Sequence, residues 1–313
     1  MGIKARVFSG RSNPNLSAKI VKHLGTVQGQ LSIGNFSDGE IWVKFEENIR
    51  GEDVFIVQST NPPAENILEL LLIIDAARRA SARRITAVLP YYGYARQDRK
   101  DQPRVPISAR LVMDTIVSAG ANRIVAMDLH STQIQGFVNI PFDHLYAKKI
   151  FVDPLRELVR SGEFTVVAPD VGGIKIARSY AKLLDLPLII IDKRRPIPNK
   201  AEVMNIIGGT EFKDILIIDD LIDTGGTIYE ASRLLKEKGA GRIVVAATHG
   251  IFSGKCVERL MESPIDQILI TDSIALAPER IFPKLKILSA APLLAEAIRR
   301  IHSEESLSLL FEF

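Results

Sequence analysis

Along the 313-residue chain, short runs of β-branched and apolar residues recur, each bounded by Gly, Pro, Asn or Asp and followed by a stretch with apolar residues three or four apart. The runs predict strands at Ala5–Phe8, Val54–Gln58, Ile85–Leu89, Ile124–Asp128, Thr165–Ala168, Leu188–Ile191, Ile215–Asp219, Ile243–Thr248 and Gln267–Thr271. The wider spacing predicts helices between most of them, as over Ala64–Ala80 and Thr227–Lys238. Strands alternating with amphipathic helices imply an α/β fold, with parallel-type sheets flanked by helices on both faces. Domains hold about 100 to 200 residues, so two are expected. Their boundary is placed near Ala147, giving 1–146 and 147–313, with a helix starting at Asp153-Pro154. The last helix could dock back on the first domain, and the apolar end, Leu307 to Phe311, is expected to dock on a domain or a subunit.

The pattern also repeats. Asp53-Val-Phe-Ile-Val-Gln58-Ser59, a helix, and Arg84-Ile-Thr-Ala-Val-Leu-Pro90 parallel Asp214-Ile-Leu-Ile-Ile-Asp219-Asp220, a helix, and Arg242-Ile-Val-Val-Ala-Ala-Thr248. Two copies of one α/β unit are the simplest account, so the fold expected is an internal duplication. Gln58 and Ser59 stand where the second copy has two acids. If the acids serve a ligand, the chain has one such pocket, in its second half.

Composition narrows the classes. Hydrophobic residues at 46% and charged residues at 25% fit an ordinary globular protein. The 40 basic and 37 acidic side chains leave a formal charge of +3 without a basic stripe, which argues against nucleic acid as a partner. Cys256 is the single cysteine, so neither an intrachain disulfide nor a thiolate metal cluster is available. Met1 to Arg11 lacks a charged-then-apolar signal pattern, and the longest apolar run, Ile67 to Ala77, is broken by Glu69 and Asp75. A cytoplasmic protein without membrane attachment is expected.

The strongest chemical signal is Ile217-Ile-Asp219-Asp220-Leu-Ile-Asp223-Thr224-Gly225-Gly226-Thr227, a buried strand running through a loop into a helix. Asp219 and Asp220 offer acceptor oxygens to sugar hydroxyls at the carboxyl end of a parallel strand, where open α/β sheets bind ligands. Asp223 to Thr227 form a glycine-permitted turn whose N–H groups can cradle phosphate at a helix start. The plainer reading is an acidic strand end followed by a helix that Thr224 or Thr227 merely caps. Acceptors, turn and helix start in one run favour ligand binding, and the segment resembles the phosphoribosyl-binding signature of the type I phosphoribosyltransferase fold.

That fold serves enzymes that consume phosphoribosyl diphosphate and enzymes that make it. Phe36-Ser-Asp38-Gly39-Glu40, Gly93-Tyr-Ala-Arg96-Gln97-Asp98-Arg-Lys100, Asp128-Leu-His130 with Gln133-Ile-Gln-Gly136, and Asp192-Lys193-Arg-Arg195-Pro196 resemble the ribose-phosphate diphosphokinase family over nearly the whole chain. The resemblance implies ATP binding by Arg96, Gln97 and Asp98, with Phe36, Asp38, Gly39 and Glu40 reaching the nucleotide from a neighbouring subunit. It implies a magnesium ion carried in with ATP and contacted by His130 and Asp170, and a homo-oligomer, often a hexamer. Alone, Phe36–Glu40 or Gly93–Lys100 reads better as a solvated polar loop. No G-x-x-x-x-G-K-[ST] run is present, so the nucleotide needs a site other than a P-loop. Asp170 with Gly172 and Gly173 can supply a carboxylate and a backbone cradle for diphosphate, whereas His23, His144, His249 and His302 sit in no convincing motif.

Lys193, Arg194 and Arg195 open a loop rich in Pro196, Pro198, Asn199 and Lys200, a composition expected to be mobile. Most basic triplets are solvated charges. The alternative is a lid that places Lys193 and Arg195 on the charge developing in the reaction. The reaction expected is attack by the anomeric hydroxyl of ribose 5-phosphate on the β-phosphorus of MgATP. One rival is a phosphoribosyltransferase that uses a nucleobase, which leaves the ATP-type segments unexplained. Another is a non-catalytic regulatory relative, although Lys193, Arg195, His130, Asp219 and Asp220 are all present.

Overall fold

The computed structural model describes residues 5–194, 203–209 and 213–310. Two compact units emerge, the first formed by Met1–Ala147, Ser273–Ala275 and Ser289–Glu312, the second by Lys148–Asp272 and Leu276–Leu288.

The first unit runs β1 (Arg6–Ser9), α1 (Pro14–Leu24), β2 (Leu31–Asn35), β3 (Ile41–Phe45), β4 (Asp53–Val57), α2 (Glu65–Arg79), β5 (Arg84–Leu89), α3 (Ser108–Ala119), β6 (Arg123–Met127) and β7 (Phe142–Leu145). Five of these strands form a parallel sheet in the order β1-β4-β5-β6-β7. β4 is buried at all five positions because helices cover both faces of the sheet, which is why its sequence is continuously apolar rather than alternating. Ile56, Leu70, Ile73, Ile74, Ala87 and Ile116 form the heart of one core, each wholly enclosed. A fully buried side chain of this size stabilises by about 1.5–3 kcal/mol.

The second unit runs α4 (Lys148–Val159), β8 (Phe164–Ala168), α5 (Ile174–Leu184), β9 (Leu188–Arg194), β10 (Val203–Ile207), β11 (Asp214–Ile222), α6 (Gly226–Glu237), β12 (Ile243–Gly250), α7 (Cys256–Glu262), β13 (Gln267–Thr271) and β14 (Leu285–Leu288). Its sheet has the order β10-β9-β8-β11-β12-β13-β14, parallel throughout except for β10, which pairs antiparallel with β9. The last helix, α8 (Ala291–His302), belongs to the first unit and packs on α1. Leu307 and Leu310 are buried in that unit, and Phe311 lies outside the described residues. Among the described residues no helix is long and apolar enough to cross a membrane.

The nine expected strands all form, β13 with the bounds expected and the rest with shifted ends, and among the described residues five others join them. β2 and β3 make a separate antiparallel hairpin rather than part of the parallel sheet. Alternating residues flanking Asp38-Gly39 are the signature of such a hairpin. β7 and β14 are four-residue strands, too short for a periodicity of their own. The helix expected from Asp153-Pro154 begins at Lys148 and contains Pro154. Burial of Phe151 and Leu155 outweighs the one backbone hydrogen bond that proline removes.

Candidate active site

In the second unit, the expected sugar-phosphate segment lies on β11 and the turn into α6. The sequence places the strand's end at Asp219, but β11 continues to Ile222, because β12 still offers partners up to the Ile222–Gly250 pair. Its other neighbour, β8, stops sooner, the last register pair being Ile217 with Val167. Asp219 and Asp220 therefore extend beyond the end of β8, beside the Pro169–Gly173 loop that leads into α5. There Asp170 Oδ1 accepts the Gly173 N–H at 2.9 Å, and α5 starts directly after Gly173.

The electrostatics of this corner are unfavourable without a ligand. Burial, together with the Asp220 and Asp170 carboxylates, pushes the Asp219 carboxyl well above the ordinary carboxylate range. Its Oδ1 accepts the Asp220 N–H at 2.9 Å. A buried Asp219 carboxyl beside the Asp220 and Asp170 carboxylates invites hydroxyl donors or a cation.

The turn that follows has its carbonyls committed elsewhere. The Ile222 carbonyl accepts from Ile251 and Phe252 N–H, Asp223 from Ser253 N–H, Thr224 from Arg259 Nη1 at 2.9 Å, and Gly225 from Tyr229 N–H. In a trans peptide the N–H points opposite the C=O. Drawing the Asp223 and Thr224 carbonyls toward α7 and its preceding loop thus turns the Thr224 and Gly225 amides the other way, while the Gly225 carbonyl makes the first hydrogen bond of α6. Gly225 has φ +73°, and a Cβ there would lie 2.8 Å from Cys256 Sγ, so both its backbone and its floor require glycine. Burial, then Asp223, push the Cys256 thiol up to about 12, which leaves it an inert packing group. The N-cap of α6 is Gly225, with no side-chain cap hydrogen bond. Neither Thr224 nor Thr227 takes the capping role that the plainer reading gives them.

In the first unit, two of the sequence motifs meet at the carboxyl end of the sheet. Gln97, in the turn after β5, accepts from Ser108 Oγ through Oε1 at 2.5 Å. Asp98 Oδ2 accepts from Gln133 Nε2 at 2.6 Å, which ties the Arg96–Lys100 loop to the 3-10 turn Thr132–Phe137 after His130. Arg96 and His130 are both exposed. Phe36–Glu40 stands instead at the tip of the β2–β3 hairpin, closed by the Phe36 N–H to the Glu40 carbonyl and by Gly39 at φ +98°. The Phe36 ring is 58% exposed there, available for stacking. Lys193 lies on β9 opposite Met204, while Arg195 and Pro196 to Lys200 lie outside the described residues.

Two features bearing on these sites carry no motif in the sequence. Arg259, on α7, reaches the Thr224 carbonyl from 35 residues away. His144, on β7, accepts the Leu129 N–H through Nε2 at 2.9 Å, directly before His130. No local pattern around Phe142–Leu145 flags the second.

Comparison with known proteins finds relatives over nearly the whole chain. Residues 5–120 match the family model described as the N-terminal domain of ribose phosphate pyrophosphokinase, and residues 193–312 match the phosphoribosyl synthetase-associated domain. The ribose-phosphate pyrophosphokinase of Chlorobaculum tepidum is 52% identical over 98% of this chain and 95% of its own. That of Caldanaerobacter subterraneus subsp. tengcongensis is 51% identical, covering 98% and 97%. The crystal structure of phosphoribosylpyrophosphate synthetase from Mycobacterium smegmatis superposes with a TM-score of 0.91 at 40% identity, covering 96% of this chain and 99% of that one. The chain belongs to the ribose-phosphate pyrophosphokinase family.

Proposed function

We propose that the chain transfers the diphosphoryl group of MgATP to the anomeric hydroxyl of ribose 5-phosphate, giving 5-phosphoribosyl 1-diphosphate and AMP. The observation that carries the sugar half is the turn Asp223–Gly226, whose Asp223 and Thr224 carbonyls are drawn toward α7 and its preceding loop and whose helix starts after Gly225. Asp223, Thr224, Gly225, Gly226 and Thr227 hold the 5-phosphate, and Asp219 and Asp220 accept the ribose hydroxyls. Each hydroxyl donated to Asp219 or Asp220 relieves the repulsion among the acids, so the ligand replaces an electrostatic cost with hydrogen bonds. Asp170, Gly172 and Gly173 take the diphosphate as it forms.

The nucleotide is assigned to Arg96, Gln97 and Asp98, with Phe36, Asp38, Gly39 and Glu40 supplied by a neighbouring subunit. That requirement makes a homo-oligomer part of the function. It also divides the domains by task, 1–146 for ATP and 147–313 for the sugar phosphate. Lys193 and Arg195 stabilise charge on the phosphoryl oxygens in the transition state.

Magnesium fits the residues available. Asp170 offers a hard carboxylate oxygen, and the repulsion that raises Asp219 favours a cation nearby. Among the described residues no group of three or more His, Cys, Asp or Glu side chains is arranged to hold an ion. By the family resemblance Asp170 and His130 are each assigned a contact with the ion, whose shell phosphate oxygens and water would complete. When bound, the ion neutralises phosphate charge and polarises the β-phosphoryl group.

The test is purified protein with ATP, Mg²⁺ and ribose 5-phosphate, monitored for products. AMP and 5-phosphoribosyl 1-diphosphate in equal amounts are expected. ADP, or turnover only with an added nucleobase, refutes the assignment.

A further inference from the structure

His144 sits on β7 in register with Ala126 of β6 and is 5% exposed. Its Nε2 accepts the Leu129 N–H at 2.9 Å. A nitrogen that accepts an N–H carries no proton, so the ring is the neutral tautomer with its hydrogen on Nδ1. The two residues before His130 are held by consecutive groups of the same strand and its exit. The Asp128 N–H donates to the Leu145 carbonyl at 3.0 Å, and Asp128 Oδ2 accepts the Ala147 N–H at 3.2 Å.

That bracing has a reason in the backbone. Asp128 has φ +36°, a left-handed conformation that a non-glycine residue keeps only where its surroundings over-determine it. The bend turns the chain out of β6 and presents His130 at the surface. The His144 ring is fixed in turn by Tyr146, with ring centroids 4.5 Å apart. A phenylalanine would fill similar volume without burying a polar nitrogen. The feature that histidine adds is the acceptor aimed at Leu129.

We propose that His144 is a positioning residue for nucleotide binding: it holds the Asp128–His130 bend so that His130 meets the magnesium carried by ATP. The inference rests on the reading of His130 given above and assigns His144 no contact with substrate.

Three variants test it. Equilibrium binding of a magnesium complex of non-hydrolysable ATP is measured by calorimetry without ribose 5-phosphate, and exchange of the Leu129 amide is followed by hydrogen–deuterium exchange. His144→Phe removes the acceptor and is expected to speed Leu129 exchange and weaken analogue binding at the low end of the about 10- to 100-fold range for losing an outer partner of a metal ligand, because His144 braces the residue before His130 rather than His130 itself. The KM for ribose 5-phosphate should stay within about twofold, well below that range. His144→Gln places a carbonyl oxygen near the position of Nε2 and should restore both amide protection and analogue binding.

A folded His144→Phe protein that binds the analogue like the parent overturns the proposal, as does equal weakening of both substrates. If only the glutamine variant folds, protected Leu129 with weak analogue binding overturns it. Loss of folding in both makes His144 purely structural and overturns it too. His130→Ala separates this inference from the reading beneath it. If His130→Ala binds the analogue normally, the assignment of His130 itself is wrong. If His130→Ala weakens binding and His144→Phe does not, the positioning role alone falls.

Discussion

The β4–α2–β5 segment of the first unit and the β11–α6–β12 segment of the second share a device at their start. Arg84 Nε donates to Asp53 Oδ1 at 2.8 Å across one strand pair, and the Arg242 N–H donates to Asp214 Oδ1 at 2.9 Å across the other. At the opposite end of the strands the copies part. In the first, Gln58 and Ser59 are wholly buried, and Gln58 Oε1 accepts from Ser12 N–H and Oγ while its Nε2 donates to Asn66 and Glu69. The loop after β1 gives its Arg11 N–H to the Glu69 carboxylate, and Asn13 caps α1 through the Leu16 N–H. The Gln58 amide lies close against Gly10, in space that a Cβ there would take. The corresponding corner of the second copy buries the Asp219 carboxyl beside Asp220 and Asp170 and begins both of its helices after glycine. One scaffold thus yields a self-satisfied corner and a frustrated one.

The same contrast extends to the hairpins. β2 and β3 stand apart from their sheet, whereas β9 joins its sheet beside β8 and carries Lys193. The largest expected effect sits there. Lys193→Ala should lower turnover about 100- to 1000-fold, the usual loss on removing one electrostatic stabiliser, while ribose 5-phosphate still binds. Near-normal turnover would show that the second hairpin is no more chemical than the first.

A direct test of the unequal corners comes next. Asp220→Ala should raise the KM for ribose 5-phosphate about 10- to 150-fold, from the roughly 1.5–3 kcal/mol of a charged hydrogen bond. Gln58→Ala should leave that KM unchanged and lower the melting temperature instead, because it strands the Ser12 and Glu69 partners. If both variants lose ribose 5-phosphate affinity alike, the first corner has not been retired from ligand binding.

How much of this was legible in the sequence follows from distance along the chain. Asp219 to Thr227 could be read because acceptor, turn and helix start are contiguous. The substitution of Gln58 and Ser59 was equally plain, but not what satisfies them, since Ser12 and Glu69 come from elements the repeat does not align. The proximity of Asp170 to Asp219 depends on which strands are neighbours, which no local pattern states. β11 outruns its expected end for the same reason, as β12 supplies the extra pairs. Phe36–Glu40 was read as a ligand motif, and its alternating flanks, which make it a hairpin tip, were left unused.

Acidity offers a subtler probe of the frustrated corner. Because Asp219 titrates well above its ordinary value in the fold, the folded chain keeps a proton that the unfolded chain has released. Between the ordinary aspartate value of about 4 and the raised one, this group therefore makes the ligand-free protein less stable as pH rises. Asp219→Asn removes the titration, so its melting temperature relative to the parent should climb with pH through that window. A flat difference for Asp219→Asn would mean that the acids do not repel as described.

The smallest expected effect concerns the backing of the phosphate turn. Arg259 is exposed, so its hydrogen bond to the Thr224 carbonyl competes with water and contributes about 0.5–1.5 kcal/mol rather than the value of a buried charged bond. The neighbouring carbonyls of Ile222 and Asp223 are held by backbone N–H groups that no side-chain substitution removes. Arg259→Ala should thus loosen one peptide plane and leave the turn standing, raising the KM for ribose 5-phosphate about 2- to 10-fold. The KM for MgATP should not move. Arg259→Lys should recover part of the loss, because an ammonium can still donate to the carbonyl but lacks the planar fork that fixes its direction. Equal shifts in both KM values would place Arg259 in general stability. A ribose 5-phosphate KM that stays put in the alanine variant would mean that backbone donors alone turn the amides of the cradle.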